Sequence, residues 1–296
     1  MPRTVTRAAA TLLALGAVAY TAWVLEVVIG TGLDPVRTYV SELAAADQPL
    51  GGLFRATDLA AGLLVLAGGL LALAGTSAGV RAARTRQRAP KDPRPAPTRE
   101  RTDAGPRAAR TRRGAREDPR AARTPPRAQE GSRAARTPPR APEGPRAART
   151  PQLWALVGWG ALVVFGAATA VDSRLPLSCA PTADPACAAR ETAGLVPATH
   201  TAHAVSSGLA MTGALVALVA LTVAARRYGR LRPLARAGPV LVVLELAATV
   251  WTLAAVAAFE AGRGIWALGA GQRLQVLLIA VWLGVLAYSL ATEEEK

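Results

Sequence analysis

Residues 8–30 read AAATLLALGAVAYTAWVLEVVIG, and this stretch decides the fold class because its 23 residues carry a single charged side chain, that of Glu26. About 20 predominantly apolar residues are enough for a helix to cross a membrane. Five further stretches meet the same criterion, at 59–80, 153–171, 204–225, 240–259 and 274–291. The sequence therefore predicts an all-α protein, a bundle of six transmembrane helices.

The segment 81–151 has a different composition from the rest of the chain. It carries 21 of the 35 Lys and Arg residues, 7 of the 20 Asp and Glu residues and no large apolar side chain. The motif RAART recurs every 13 residues, at 107, 120, 133 and 146. Such a composition cannot bury enough surface to offset chain entropy, so we predict disorder. The chain then divides into helices 1–2 with an outer loop (1–80), the repeat insert (81–151) and helices 3–6 (152–296).

The insert also explains the net charge of +15, which therefore gives no reason to expect a specific nucleic-acid partner. One interpretation is a polybasic tether that contacts anionic lipid headgroups. The alternative is a tandem duplication that a long loop tolerates. No protein partner is indicated by the sequence.

The distribution of Lys and Arg predicts the orientation of the helices. An N-terminus inside the cell places the arginine-rich loop RRYGRLRPLAR (226–236) on the cytoplasmic side. Both termini are then cytoplasmic and the protein is a multi-pass protein of the cell membrane. Residues 17–19 also fit a signal-peptide cleavage site, which is the alternative for the first helix.

Two outer loops carry recognisable features. Asp34 and Pro35 are typical of a helix start, and the apolar residues after them predict an amphipathic helix over 35–45 on the outer surface. Cys179 and Cys187, the two cysteines of the chain, share one short outer loop, so we predict a disulfide bond between them. The alternative is two unpaired thiols.

Ionisable side chains cluster at the predicted outer ends of the helices. His200 and His203 are three residues apart and so lie on one helix face. With Asp172 they are candidate ligands of a divalent metal ion, with Asp58 or Glu26 as a base and Ser41 as a reactive hydroxyl. Glu245 lies deeper, as a carboxylate within a span. The six residues predicted at one depth are Glu26, Asp58, Asp172, His200, His203 and Glu260.

Three functions fit this pattern. The first is a lipid headgroup or small ligand bound in an outward-facing polar pocket by His200, His203, Asp172, Glu26 and Asp58. The second is a metal-dependent membrane hydrolase that acts on lipid, with Asp58, Asp172, His203 and Ser41 as candidate catalytic residues. The third is a proton-coupled transporter that uses Glu245 and the outer cluster as relay stations. A further interpretation is that these groups are interfacial residues, which form hydrogen bonds with loops, water or lipid headgroups at the helix ends.

Two segments, PVRTYVSELAAADQPLGGLFRATDLAAGLL (35–64) and DSRLPLSCAPTADPACAARETAGLVPATHTAHAVSSG (172–208), together resemble the bacterial membrane family catalogued as domain of unknown function 998. The layout is more loosely similar to DRAM-like six-helix membrane proteins. The resemblance implies a six-helix bundle and covers the chain except 81–151. The positions that match the family pattern are Ser41, Glu42, Phe54, Arg55, Asp172, Cys179, Cys187, His200 and His203.

Overall fold

A computed structural model describes residues 3–88 and 150–293, and all regular elements in these ranges are helical. The α-helices in chain order are α1 Arg3–Tyr20, α2 Glu26–Ile29, α3 Gly51–Arg88, α4 Thr150–Asp172, α5 Pro185–Thr192, α6 Ala198–Tyr228, α7 Arg232–Glu260 and α8 Leu268–Glu293. Short 3₁₀ turns lie at Ala22–Leu25 and Val40–Ala44. Within the described ranges, six helical segments are long and apolar enough to cross a membrane, which confirms the predicted number.

The helices approach one another closely where small residues meet. A Cβ atom at Gly166 of α4 would lie 2.4 Å from the backbone nitrogen of Leu66 in α3, and one at Gly62 of α3 would lie 2.5 Å from the nitrogen of Ala170. Helix pairs in membranes are packed in this way because apolar side chains gain little by leaving lipid.

Helix α6 packs against α4 and α7, and α8 packs against α1 and α7. Fully buried side chains of the core include Leu13, Leu162, Phe165, Leu218, Ile279 and Trp282.

One end of the bundle carries the loops 30–50, 173–197 and 261–267, and we call it the disulfide end. Cys179 and Cys187 form a disulfide bond there with a Cα–Cα distance of 6.0 Å, as predicted. Within the bonded loop, Asp184 begins helix α5 by accepting a hydrogen bond from the backbone N–H of Ala186. The sequence predicts this end to face the outside, and that orientation stays a prediction.

The first span is not the continuous helix that the sequence predicts. Helix α1 ends at Tyr20, a 3₁₀ turn comes next, and α2 adds only four residues. A 3₁₀ turn winds more tightly than an α-helix, so it changes the direction in which the next side chains point. As a result Glu26 is buried, whereas Val27 and Val28 are 77% and 86% exposed on the surface of the bundle.

The helix predicted over 35–45 is also wrong as a continuous element. Asp34 caps a single turn by accepting a hydrogen bond from the N–H of Val36 (2.9 Å), but Tyr39 is extended and only a 3₁₀ turn comes after it. Side chains of α8 take over the backbone groups here: Arg273 donates to the carbonyl oxygen of Thr38, and the N–H of Val40 donates to Gln272. These tertiary hydrogen bonds replace the helical ones.

Several helices run past the stretches predicted for them, and in α3 and α7 this corrects a prediction. Helix α3 continues to Arg88 because residues 81–88 are good helix formers without proline, so the predicted insert begins too early; residues 89–149 of it lie outside the described residues. Helix α7 begins at Arg232 with Pro233 in its first turn. Pro239, next to which the sequence predicts a helix start, is therefore inside that helix.

We predict that Gly166→Ala lowers the thermal unfolding midpoint of the detergent-purified protein, because the new methyl group meets backbone of α3. Overpacking of this kind costs about 1–3 kcal/mol. Gly160→Ala is the matched control, since a Cβ at Gly160 of the same helix meets nothing within 4 Å. Equal midpoints for the two variants would contradict the close contact between α3 and α4.

Candidate functional site

The carboxylate of Asp172, the last residue of α4, is surrounded by three side chains of α6. The hydroxyls of Ser206 and Ser207 donate hydrogen bonds to it, with Ser207 Oγ 3.0 Å from Oδ1 and 3.1 Å from Oδ2. Nδ1 of His203 lies 3.1 Å from Oδ1, at ion-pair distance but without hydrogen-bond geometry. Of the two candidate histidines, it is thus His203 that contacts Asp172.

His200 faces a different partner set. Its Nδ1 accepts a hydrogen bond from the backbone N–H of Ser178 (3.1 Å), so the ring carries its proton on Nε2, which lies 3.2 Å from Oε1 of Glu191. Both ring nitrogens are thus engaged by the loop 173–197, which carries the disulfide bond and which we call the disulfide loop, and neither offers a lone pair to a metal ion.

The candidate metal set His200, His203 and Asp172 is therefore not assembled in the structure. No group of three or more His, Cys, Asp or Glu side chains within residues 3–88 and 150–293 is arranged to hold a metal ion. His200 and His203 lie on one helix face, but their side chains have different partners. His200 contacts Ser178 and Glu191, whereas His203 contacts Asp172 of α4. The metal-dependent hydrolase has no support from this geometry.

Glu26 forms a buried ion pair that the sequence does not predict. Both carboxylate oxygens accept from the guanidinium of Arg273 in α8, at 2.5 Å (Nε to Oε1) and 2.6 Å (Nη2 to Oε2). The two side chains are 4% and 8% exposed. Arg273 also donates to the carbonyl oxygens of Thr38 and Gly269. Glu26 is consequently a structural anion rather than a free base.

A second buried carboxylate ties the two long loops of the disulfide end together. Glu42 is fully buried and accepts hydrogen bonds from the backbone N–H (2.7 Å) and the hydroxyl of Thr182. Burial raises the pKa of the Glu42 carboxyl above its ordinary range, and the hydrogen bonds from Thr182 oppose that rise. Burial likewise raises the pKa of the Tyr39 phenol. Arg55 closes the same loop by donating to the carbonyl oxygens of Ala44 and Ala45.

A cavity of about 110 Å³ lies beneath these loops, several times the ~10–15 Å³ that one water needs. Asp58 lines it and makes no hydrogen bond or ion pair with any described residue, although Asp172 and His203 are within electrostatic range. Ser41 lines it from the loop. The remaining lining residues are Tyr20, Trp23, Val40, Leu43, Phe54, Thr169, Asp172, Ser207, Ala210, Met211, Gln272, Gln275 and Val276.

The two other acidic candidates lie apart from this cavity. Glu260 is exposed at the end of α7. Glu245 is 1% exposed near the middle of α7, and neither of its oxygens has a hydrogen-bond partner within residues 3–88 and 150–293. Its polar neighbour Gln275 instead donates from Nε2 to Thr249 Oγ1 (2.9 Å). Of the six groups predicted at one depth, the structure therefore brings Asp58, Asp172 and His203 together.

Several polar residues of the site are not predicted from the sequence. Ser206 and Ser207 come three and four residues after His203, so helical periodicity is a signal that could have placed them beside it. Arg273 carries no such signal, because it is separated from Glu26 by 247 positions. Tyr20, Trp23 and Gln275 read as ordinary residues of apolar spans.

We predict that Arg273→Met destabilises the protein by about 3–5 kcal/mol, because it leaves Glu26 buried without a partner. The matched control is Arg230→Met, which breaks an ion pair with Glu293 whose arginine is 72% exposed and which we expect to cost less than ~1 kcal/mol. The measurement is the free energy of unfolding in mixed micelles. Similar losses in both variants would contradict a structural role for the buried pair.

Comparison with known proteins finds a match to a family model. No curated protein and no solved structure matches the chain. The looser similarity to DRAM-like proteins stays a prediction. The model of one family matches residues 13–86 and 144–289, which together cover most of the chain and reach into each of the six apolar helical segments of the described residues. The chain belongs to the family described as protein of unknown function (DUF998).

Proposed function

We propose that this protein binds a small ligand or a lipid headgroup in the cavity at the disulfide end, and that this end faces the outside of the cell membrane. The observation that carries the proposal is Asp58, a carboxylate that lines a cavity and has no partner among the described residues. The cavity gives a ligand access to this carboxylate, and a cationic or hydrogen-bond-donating group of the ligand would pair with it there.

The other walls of the cavity support a binding role. Tyr20, Trp23 and Phe54 offer aromatic surface, and Ser41, Gln272 and Ser207 add polar groups that can orient a bound molecule. Ligand sites are typically apolar clefts with a few well-placed polar groups. Ligand binding accounts for this arrangement without a catalytic step.

We predict that Ser41→Phe, which fills the cavity from the loop, reduces the amount of lipid or small molecule that co-purifies with the protein. The matched control is Asp47→Phe, because Asp47 is exposed in the same loop region and does not line the cavity. Mass spectrometry of the native protein released from mild detergent measures the bound molecules.

Ala210→Met serves as a second blocking variant from helix α6, in case Ser41→Phe disturbs the loop. The thermal midpoint of each variant reports whether it is folded. A bound-molecule profile that is the same in both folded blocking variants and in the control would overturn the proposal.

The buried carboxylate of Glu245 favours a second candidate, proton-coupled transport. Ionisable groups inside a membrane are costly and commonly serve proton or ion pathways. Glu245 has no hydrogen bond with any described residue, and the first span is interrupted at Ala22–Leu25, where Trp23 lines the cavity. Both features are compatible with a path from the cavity towards the centre of the bundle.

For this candidate we predict that Glu245→Gln abolishes a proton flux in proteoliposomes, since glutamine cannot exchange a proton. Glu260→Gln on the same helix is the control, because Glu260 is exposed. A pH-sensitive dye trapped in the vesicles reports the flux. A wild-type flux that Glu245→Gln leaves unchanged would remove the candidate.

A further inference from the structure

We infer that the ligand of the cavity carries an organic ammonium group, and that Asp58 is its counter-ion. This inference rests on the proposed function and specifies the chemical class of the ligand. The group would belong either to a lipid headgroup or to a free amine, and the chemistry of recognition is the same for both.

The charge of the cavity wall favours a cation. Two carboxylates, those of Asp58 and Asp172, line the cavity, and no Lys or Arg is among the described lining residues. Arg273 is nearby on α8, but its guanidinium is committed to Glu26. An anionic ligand, such as a free phosphate, would therefore meet only negative charge at this wall.

The hydrogen bonds of the two carboxylates distinguish Asp58 from Asp172. Asp172 receives hydroxyl donors from Ser206 and Ser207, whereas Asp58 receives none from the described residues. Asp58 thus keeps its acceptor capacity for a donor that comes from outside the protein. An ammonium group supplies such donors together with the complementary charge.

The aromatic residues favour an organic cation independently of the acids. Tyr20, Trp23 and Phe54 all line the same cavity. Aromatic faces attract organic cations, and groups of them are used to hold alkylated ammonium ions. Nε1 of Trp23 is itself buried, so this residue offers the cavity aromatic surface and not a free N–H donor.

The size of the cavity sets the scale of the group that enters. About 110 Å³ accommodates several water-sized probes, which suits an ammonium group with a short polar arm rather than a whole lipid. If the ligand is a lipid, its acyl chains remain outside the cavity.

The test compares choline with 3,3-dimethylbutan-1-ol, its neutral isostere, on the full-length protein in a non-ionic detergent. We expect choline to raise the thermal midpoint and the isostere to leave it unchanged. Asp58→Asn should weaken choline binding about tenfold or more, as loss of one charge-assisted contact implies. Asp47→Asn is the control, since it removes an acid of the same end that does not line the cavity.

Trp23→Leu is a second variant, which leaves Asp58 in place. We expect it to bind choline more weakly than the wild type. A second experiment identifies whether the ammonium group comes from a lipid. The protein is reconstituted with phosphatidylethanolamine and phosphatidylglycerol and is then extracted. If the ligand is a headgroup, the extracted protein should carry phosphatidylethanolamine. Enrichment of neither lipid, with choline binding retained, indicates a free amine.

The outcomes separate this inference from the proposal on which it rests. If the neutral isostere stabilises the protein as much as choline does, or if Asp58→Asn binds choline normally, the ammonium inference is overturned while cavity binding survives. If no probe has an effect and the Ser41→Phe and Ala210→Met profiles equal that of the wild type, both are overturned.

Discussion

The disulfide end depends on the buried ion pair between Glu26 and Arg273. A charged pair with little access to water is stable only when its geometry and its remaining hydrogen bonds are good. Here the pair has two parallel contacts, and Arg273 also donates to the carbonyl oxygens of Thr38 and Gly269. One guanidinium therefore joins α2, the loop at Thr38 and the start of α8, directly after the interruption of the first span.

The ion pair is one of several contacts that engage the acids of the disulfide end. It uses Glu26, while the disulfide loop engages His200 through Ser178 and Glu191. Glu42 is bound by Thr182. Once these ties are made, Asp172 is held by serines of α6 and Asp58 alone of the cavity acids is left without a donor among the described residues. Because the neighbouring acids are paired within the protein, Asp58 is the cavity acid that remains for a ligand.

The sequence predicts the helical fold well because apolar length is a local property, read within one segment at a time. It also predicts the Cys179–Cys187 bond, since the two cysteines share a loop. Helix starts obey the same local logic: Asp34 and Asp184 each precede a proline and each caps a turn. The length of the helix after such a cap is not a local property. Asp184 begins an eight-residue helix, whereas the turn after Asp34 stops because α8 takes its backbone hydrogen bonds.

The site is less predictable because its composition depends on contacts between distant segments. The predicted common depth along the helices brings Asp58, Asp172 and His203 together. Depth does not indicate the direction in which a side chain points. His200 and His203 lie on one helix face and still have different partners. The partner of Glu26 lies in the last helix, and no spacing or composition in either segment indicates it.

The central claim is that the cavity lined by Asp58 holds a ligand. The most direct measurement is an experimental density map of the protein purified from its membrane without added amine. We expect density within the cavity at hydrogen-bonding distance of the Asp58 carboxylate, beside Tyr20 and Trp23. A cavity that holds only water, with Asp58 paired to a side chain of the protein itself, would contradict the claim.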